Sequence, residues 1–457
     1  MSNKITIIGA GLAGSLLAIY FAQKKFEVDV YERRPDMRKQ NIGGGKSINL
    51  ALSARGIYAL KEVGLYDEIK KISIPMYGRM IHAIDGSTMF QRYGKDDTEY
   101  INAVSRGELN KKLLGLAEEY AKVNIHFDNR CLGMEFSTGT SLYHNELNGS
   151  GFTVKSDVTI ATDGATSPVR MEMLKMPGFN FSQEYENYGY KELVIPAGPG
   201  GNFQLEKNAL HIWPRGAFML IALPNLDGSY TCTLFLANHD SLAGENSFEY
   251  LDSKEKVQIF FEKYFADASA LIPGLTDEFF TNPTGSLITI KCYPWCVSGK
   301  SALLGDSAHA IVPFFGQGMN AAFEDCVYLN GLVNEHVNDW GAIFDRYQQL
   351  RKPNSDAIAE LARENFIEMR DLVAQPRFQL KKKIESELYK KFPEKFVPKY
   401  TMVTFLRIPY EVAFRRGKIQ EKILDELTEK TADFDKIDWQ KAELLVAQNL
   451  IGLDSEK

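Results

Sequence analysis

The chain has 457 residues, 44% hydrophobic and 25% charged, too long for one compact core and suited to two or three packed domains of an ordinary folded protein. Its 53 Lys+Arg against 59 Asp+Glu leave a net charge of -6, with no long basic run to follow a phosphate backbone, so nucleic acid is not an expected partner. The five scattered cysteines, Cys131, Cys232, Cys292, Cys296 and Cys326, are odd in number and too few for a disulfide scaffold; they suit a reducing, cytoplasmic compartment, and without a second Cys/His pair no metal site is expected.

The fold begins at once. KITIIGAGLAGSLLAIYFAQKKFEVDVYERR sets a β-type run at residues 5–8 before G-x-G-x-x-G at Gly9, Gly11 and Gly14; an apolar helix and a second strand, residues 28–31, follow and end at Glu32. No signal peptide is expected ahead of it, and no stretch reaches the ~18 unbroken apolar residues of a membrane span. Gly9 permits a tight turn, Gly11 lets a pyrophosphate approach the helix N-terminus, and Gly14 allows helix to pack closely on strand. Glu32, eighteen residues after Gly14, is placed to accept hydrogen bonds from an adenosine ribose. A carboxylate there disfavours a 2'-phosphate, so FAD or NAD is expected and NADP is not. GGGKS at residues 43–47 is no phosphate-binding P-loop, because the required glycine is replaced by Gln40; residues 39–47 read as a flexible loop bordering the cofactor.

Up to about Arg170, short strands alternate with helical segments, which predicts a parallel sheet with crossover helices. Within that stretch VTIATDGATSPVR carries a strand, residues 158–161, into Asp163-Gly164. From about residue 185 to 291 the chain turns strand-rich (KELVIP, ALHIWP, FMLIALP, YTCTLFLA), with a hairpin signal at Asn225-Leu226-Asp227-Gly228; an inserted antiparallel sheet is expected. GDSAHAIVPFFGQGMN, residues 305–320, is a strand end, a turn and a glycine-rich loop entering a helix, where backbone N-H groups can again approach a ligand. His309 has no neighbours that suggest a triad or ligand set and reads as structural. From about Ala342 the pattern is helical, and the last forty residues read as a packed helix and a solvated tail.

The glycine motif, Asp163-Gly164 and Gly305-Asp306 together resemble the three-part signature of the aromatic hydroxylase class of flavin monooxygenases. Longer segments across nearly the whole chain are similar to the kynurenine 3-monooxygenase family: YGRM (77–80), RYGKDD (92–97), NALHIWPRG (208–216), IALPNLD (221–227), VPFFGQGMN (312–320), RENFIEM (363–369) and KYTMVTFLRIPY (399–410). The resemblance implies an α/β fold: a Rossmann-type FAD-binding domain from residues 1–75, 98–180 and 292–340, a substrate-binding β-sheet from 76–97 and 181–291, and a helical C-terminal region, 341–457. It implies that Asp306 binds the FAD ribitol and that Arg106 contacts the flavin. The helix start at Gly318, Met319 and Asn320 then points at the flavin pyrimidine, where its partial positive charge stabilises the anion of the reduced ring. Arg79 and Tyr93 are expected to bind the substrate carboxylate, and Asn365, Tyr400, Phe314 and Gln317 to complete the pocket. Some relatives have histidine where this chain has Phe315, so a mechanism needing that histidine is excluded.

The activity implied is NADPH-dependent hydroxylation of L-kynurenine to 3-hydroxykynurenine through a flavin C4a-hydroperoxide, with dioxygen as co-substrate, in tryptophan degradation. No second G-x-G-x-x-G on a βαβ unit is present to hold a nicotinamide, so NADPH is expected to bind transiently. No protein acid or base is required, because the substrate's ring amine activates the carbon ortho to it; the protein holds the ring, excludes water and reads the amino-acid end. Two other readings stay open. One is a same-class hydroxylase of another small aromatic acid. The other is a non-catalytic flavin-binding sensor, which would hold FAD without faster NADPH consumption when an aromatic is added. A homodimer is compatible with all three.

Overall fold

In the computed structural model, which describes residues 4–39, 49–336, 339–372 and 375–456, strand β1 (Lys4–Ile8) runs into helix α1 (Leu12–Gln23) and strand β2 (Glu27–Tyr31). Ile5, Ile7 and Ile8 are all buried, as a strand covered on both faces requires. β1 pairs in parallel with β2 on one side and with Val158–Ala161 on the other. Val123–His126 extends the sheet beyond β2; Ser301–Leu303 and then the antiparallel Cys296–Val297 extend it beyond Val158–Ala161, giving six strands. This strand order places the ends of three motif-bearing segments, far apart in sequence, at neighbouring strands. α1 is apolar all round, with Leu16, Leu17, Ile19 and Phe21 buried, and helices Arg106–Glu118 and Gly318–Glu335 pack on it.

Residues 129–155 depart from the expected strand-helix alternation. They form an antiparallel meander of Asn129–Glu135, Thr140–Asn145 and Gly151–Lys155. Tight returns at Gly139 and Gly149, with φ +72 and +73, leave no room for a helix between the strands. The run Gly43 to Ser47 lies outside the described residues.

The inserted sheet has seven strands, in the order Gly285–Tyr293, Asn180–Ile195, Tyr230–Ala237, Met219–Pro224, Ala209–Pro214, Gly78–His82 and Thr88–Arg92. The hairpin signal is placed as expected: Met219–Pro224 pairs antiparallel with Tyr230–Ala237, and Gly228 takes φ +87 in the turn. Ala209–Pro214 and Gly78–His82 run parallel. The insert is not all β. Helices Lys254–Tyr264, Ala266–Ser269 and Leu275–Thr281 cover one face, and Phe260, Phe261 and Phe265 share a core with Leu193, Trp213 and Leu234.

The chain divides into two compact units, one of Met1–Ile74, Asn102–Tyr185 and Ile288–Ala359, the other of Pro75–Ile101, Glu186–Leu287 and Glu360–Lys457. The second unit thus holds the C-terminal helices Pro376–Lys391, Lys399–Thr404, Tyr410–Thr428 and Trp439–Asn449 together with the inserted sheet. The tail beyond them is not solvated as expected. Leu453 is buried and its N-H donates to Glu394 O at 2.7 Å, while Glu456 pairs with Arg415 and Arg416. No helix among the described residues is long and apolar enough to cross a membrane.

Candidate active site

The first unit builds a cradle from the three motifs. Gly9 sits at φ +99, which only glycine adopts without strain, and a Cβ there would come within 2.7 Å of Thr162 O. At Gly14 a Cβ would meet Gly9 O at 2.0 Å and Thr162 Oγ1 at 2.5 Å, so this glycine is fixed by the packing of helix on strand. At Gly11 a Cβ would meet nothing within 4 Å. Protein packing does not demand this glycine, and its bare backbone leaves room for a ligand to approach. Thr162 ties the strands together, its Oγ1 donating to Gly9 O at 2.8 Å and its N-H to Ile8 O at 2.8 Å.

Glu32 ends β2 and is buried. Its Oε2 accepts from Ala10 N at 2.9 Å, and its Oε1 accepts from Arg34 N at 2.9 Å and Arg34 Nε at 2.8 Å. Burial opposes ionisation, but Arg34 and the Ala10 N-H outweigh it and hold the carboxyl below the usual glutamate value. The charge therefore persists through neutral pH beside the glycine turn.

Gly164 follows with φ +85, and Ser167 caps helix Pro168–Met173 by accepting from Arg170 N at 3.0 Å. Both carboxylate oxygens of Asp163 are buried, and neither makes a hydrogen bond of good geometry among the described residues. Burial pushes this carboxyl up to about 6, against the opposing influence of Ser167 and Arg170. Arg170, itself buried, donates to Ser307 O at 2.7 Å and to Ala165 O. Ser307 Oγ in turn donates to Ala161 O at 2.6 Å. These bonds join the second motif to the third.

Asp306 opens the short helix Asp306–His309 after Gly305, whose φ is +67. The turn is anchored from below by a charge cluster that motif reading did not show. Asp325 accepts from Gly305 N at 3.2 Å, contacts His309 Nε2 at 2.6 Å and accepts from Arg351 Nε at 2.7 Å. Arg351 Nη1 donates to Glu324 at 2.8 Å, and Arg55 pairs with the other oxygen of Glu324 at 3.0 Å. Burial works against the Asp325 charge, yet His309 and Arg351 hold its carboxyl below the usual value. His309 is thus a partner within the fold.

Phe314 lies in the turn Pro313–Phe315, and Gly316 completes it at φ +64. Gln317 is buried and donates to Ser53 Oγ at 3.3 Å. Gly318 and Met319 begin the helix. Asn320 spends its side chain on the protein, accepting from Ser53 N at 3.0 Å and donating to Ala51 O at 2.8 Å and Gly316 O at 2.9 Å. It fixes the loop, so any ligand contact here falls to the backbone N-H groups of the helix start. Arg106 is exposed in the first turn of Arg106–Glu118, where the helix dipole disfavours a cation and an anion nearby would offset the cost.

The second unit gathers another set. Arg79, on Gly78–His82, is buried with its guanidinium 5.6 Å from the ring centre of Tyr93 and 5.4 Å from that of Tyr400. The two rings stack at 5.2 Å and 17°. Burial works against the Arg79 charge, but Tyr93, Tyr400 and Glu368 more than offset it, leaving the group above the usual arginine value. Burial also pushes both tyrosines up, so they remain neutral O-H donors at working pH. A cation beside two stacked phenols is equipped to take a carboxylate. Asn365 is buried, its Nδ2 3.2 Å from Met369 Sδ, and lies one helical turn before Glu368. Glu368 begins a π-helical segment, Glu368–Leu372, a kind of irregularity that recurs at functional sites. Burial raises its carboxyl, but Lys382, Lys399 and Arg79 outweigh that and keep it below the usual value. Sequence reading missed Glu368. Its spacing from Asn365 in RENFIEM was the available signal, visible only once Arg79 had been placed nearby.

The model of the FAD binding domain family matches residues 2–194 and 296–362. The kynurenine 3-monooxygenase of Myxococcus xanthus is 48% identical over 98% of this chain and 96% of its own length. That of Dictyostelium discoideum is 44% identical over 99% and 98%. Among solved structures, 2-methyl-3-hydroxypyridine-5-carboxylic acid oxygenase matches with a TM-score of 0.64 at 18% identity, covering 79% of this chain and 89% of that one. A Pseudomonas aeruginosa protein, PqsL in complex with 2-aminobenzoylacetate, matches with a TM-score of 0.63 at 17% identity, covering 81% and 97%. At such identities the structures establish the shared fold.

Proposed function

The chain belongs to the kynurenine 3-monooxygenase family of FAD-dependent aromatic hydroxylases, and from that premise we propose that it hydroxylates L-kynurenine to 3-hydroxykynurenine with NADPH as reductant and dioxygen as co-substrate. That it is an FAD-dependent monooxygenase of a small aromatic substrate follows from the family itself. The single observation that carries the choice of substrate is the Arg79, Tyr93 and Tyr400 constellation, a buried cation with two neutral phenols.

When bound, FAD would supply the redox chemistry between the nicotinamide and dioxygen. The residues of the cradle hold it. Gly11 would leave the backbone bare for the pyrophosphate, Glu32 would accept from the ribose, and Asp306 would accept from the ribitol hydroxyls. The N-H groups of Gly318 and Met319, at the helix start, would favour negative charge on a flavin bound there. In the substrate site the Arg79 fork binds the amino-acid carboxylate and the two tyrosines donate to it. Glu368 offers its negative charge to the ammonium, with Asn365 beside it. Such opposed charges read a zwitterion and fix the aromatic ring at one distance from its amino-acid end. No residue is assigned as general acid or base, because the ring amine supplies the electron density.

The alternative of another small aromatic acid makes no use of the negative charge that Glu368 adds near Arg79, whereas the ammonium of an amino acid does. The protein is proposed to act in the cytoplasm. The test is NADPH oxidation by the FAD-loaded protein with and without L-kynurenine, with the product identified by mass. Stimulated oxidation yielding a product one oxygen heavier supports the reading. Stimulation by benzoate-type acids alone would replace it.

A further inference from the structure

Tyr400 is the second residue of a helix only six residues long, Lys399–Thr404, whose N-cap, Pro398, contributes no side-chain bond. So short a helix does not hold its own geometry, and the segment leading into it must be fixed from outside. Three of that segment's carbonyls are taken by groups far along the chain. Glu394 O accepts from Leu453 N at 2.7 Å, Lys395 O accepts from Arg416 Nη2, and Val397 O accepts from Gln420 Nε2 at 2.7 Å. Arg416 also donates to Ile451 O at 3.1 Å and pairs with Glu456, whose second oxygen takes Arg415. Arg416 is 1% exposed and Gln420 2%. Helix Tyr410–Thr428 comes so close at Gly417 that a Cβ there would meet the Lys399 side chain at 2.7 Å, one residue from Tyr400.

We propose that Arg416 and Gln420 are positioning residues for Tyr400, and that residues 451–456 latch Arg416 in place. The proposal rests on reading Tyr400 as a carboxylate-binding group. A planar guanidinium reaches the Lys395 carbonyl, the Ile451 carbonyl and the Glu456 carboxylate at once, as a lysine ammonium on its flexible stem does not. With the fork gone, buried carbonyls lose their partner and the lead-in segment relaxes. A displacement of about 1 Å is enough to lose the phenol-to-carboxylate bond without disturbing the flavin cradle, which lies in the other unit.

The test compares Arg416→Lys, Glu456→Gln, Tyr400→Phe and the Glu456→Gln/Tyr400→Phe double variant, all FAD-loaded, by steady-state kinetics with L-kynurenine and by thermal unfolding. Arg416→Lys and Glu456→Gln are expected to raise KM about 3- to 10-fold, the net size of one ordinary hydrogen bond, as for a phenol bond weakened and not deleted, with kcat changed less than about 2-fold. In the Tyr400→Phe background, Glu456→Gln should raise KM no further, while its effect on Tm should be the same in both backgrounds. A merely structural role would lower Tm and leave KM alone, or add its KM effect in full to that of Tyr400→Phe; either result overturns the proposal. A raised KM in Tyr400→Phe beside unchanged values in both latch variants sinks this inference alone. An unchanged KM in Tyr400→Phe sinks it together with the substrate reading.

Discussion

Gly11 and Gly14 sit three residues apart in one motif, yet the structure gives them different work. A Cβ at Gly14 would overlap Gly9 O at 2.0 Å, and one at Gly11 meets no protein atom within 4 Å. Gly14→Ala is therefore expected to destabilise the fold by about 1 to 3 kcal/mol, as overpacking does. Gly11→Ala should leave the melting temperature of the flavin-free protein within about a degree of the parent but lower FAD content after purification; a Gly11→Ala protein that keeps full FAD would remove the pyrophosphate from this turn. At Arg79 the expectation is a loss of roughly 2 to 4 kcal/mol in kynurenine affinity on change to Ala, as for breaking a desolvated charge pair, with FAD content unchanged. Tyr93→Phe and Tyr400→Phe should each cost about 0.5 to 3 kcal/mol, and titration of the three variants by the substrate-induced change in flavin absorbance measures all of them. Asp163 carries a pH dependence. Burial pushes its folded carboxyl up to about 6 from an ordinary 3.8, so between those values the folded chain holds a proton that the unfolded chain has released. The destabilising contribution is absent below the unfolded value, grows as pH rises and is complete above about 6. Asp163→Asn is expected to stabilise the flavin-free protein by roughly 1 to 3 kcal/mol at pH 7.5, with a smaller gain at pH 5. An equal gain at both would show that the carboxyl is not raised.

At the scale of elements, Phe261 on Lys254–Tyr264 is fully buried against the inserted sheet. Phe261→Ala should cost about 3 to 5 kcal/mol in urea unfolding while FAD content holds, because the cradle residues belong to the other unit. Flavin lost in step with the sheet would show that the units do not unfold separately. This helix also shows where sequence reading stopped. Phe260, Phe261, Tyr264 and Phe265 form an aromatic run as compatible with strand as with helix, and only packing on a sheet built from residues elsewhere decides it. β1, α1, β2 and the hairpin at Asn225 to Gly228 were legible because each carries its own local signal, a glycine motif or a turn. The meander at residues 129–155 and the anchored tail were not, since nothing local distinguishes Glu456 as a partner of Arg416. The candidate site divides the same way. The three glycines and Glu32 could be read from spacing alone, whereas Arg79, Tyr93 and Tyr400 were reached only through family resemblance, because no periodicity links residue 79 to residue 400. The π-helical segment at Glu368 had no sequence signal of its own.

Across the whole molecule, the residues proposed to hold FAD fall in one unit and those proposed to read the amino-acid end of the substrate, Arg79, Tyr93, Asn365, Glu368 and Tyr400, in the other. A flavin-binding sensor would need the first set alone. A buried guanidinium beside two stacked phenols, with an acidic side chain close enough to influence it, is not needed to bind a flavin and suits the amino-acid end of the proposed substrate. The account therefore stands on oxygen transfer to such a substrate, and isotope labelling tests that directly. The FAD-loaded protein is incubated with NADPH and L-kynurenine under 18O-labelled dioxygen in ordinary water, and the product is analysed by mass spectrometry. The account predicts 3-hydroxykynurenine carrying one labelled oxygen, formed in step with NADPH consumed. NADPH consumption that yields only hydrogen peroxide, or a hydroxylated product without the label, would contradict it.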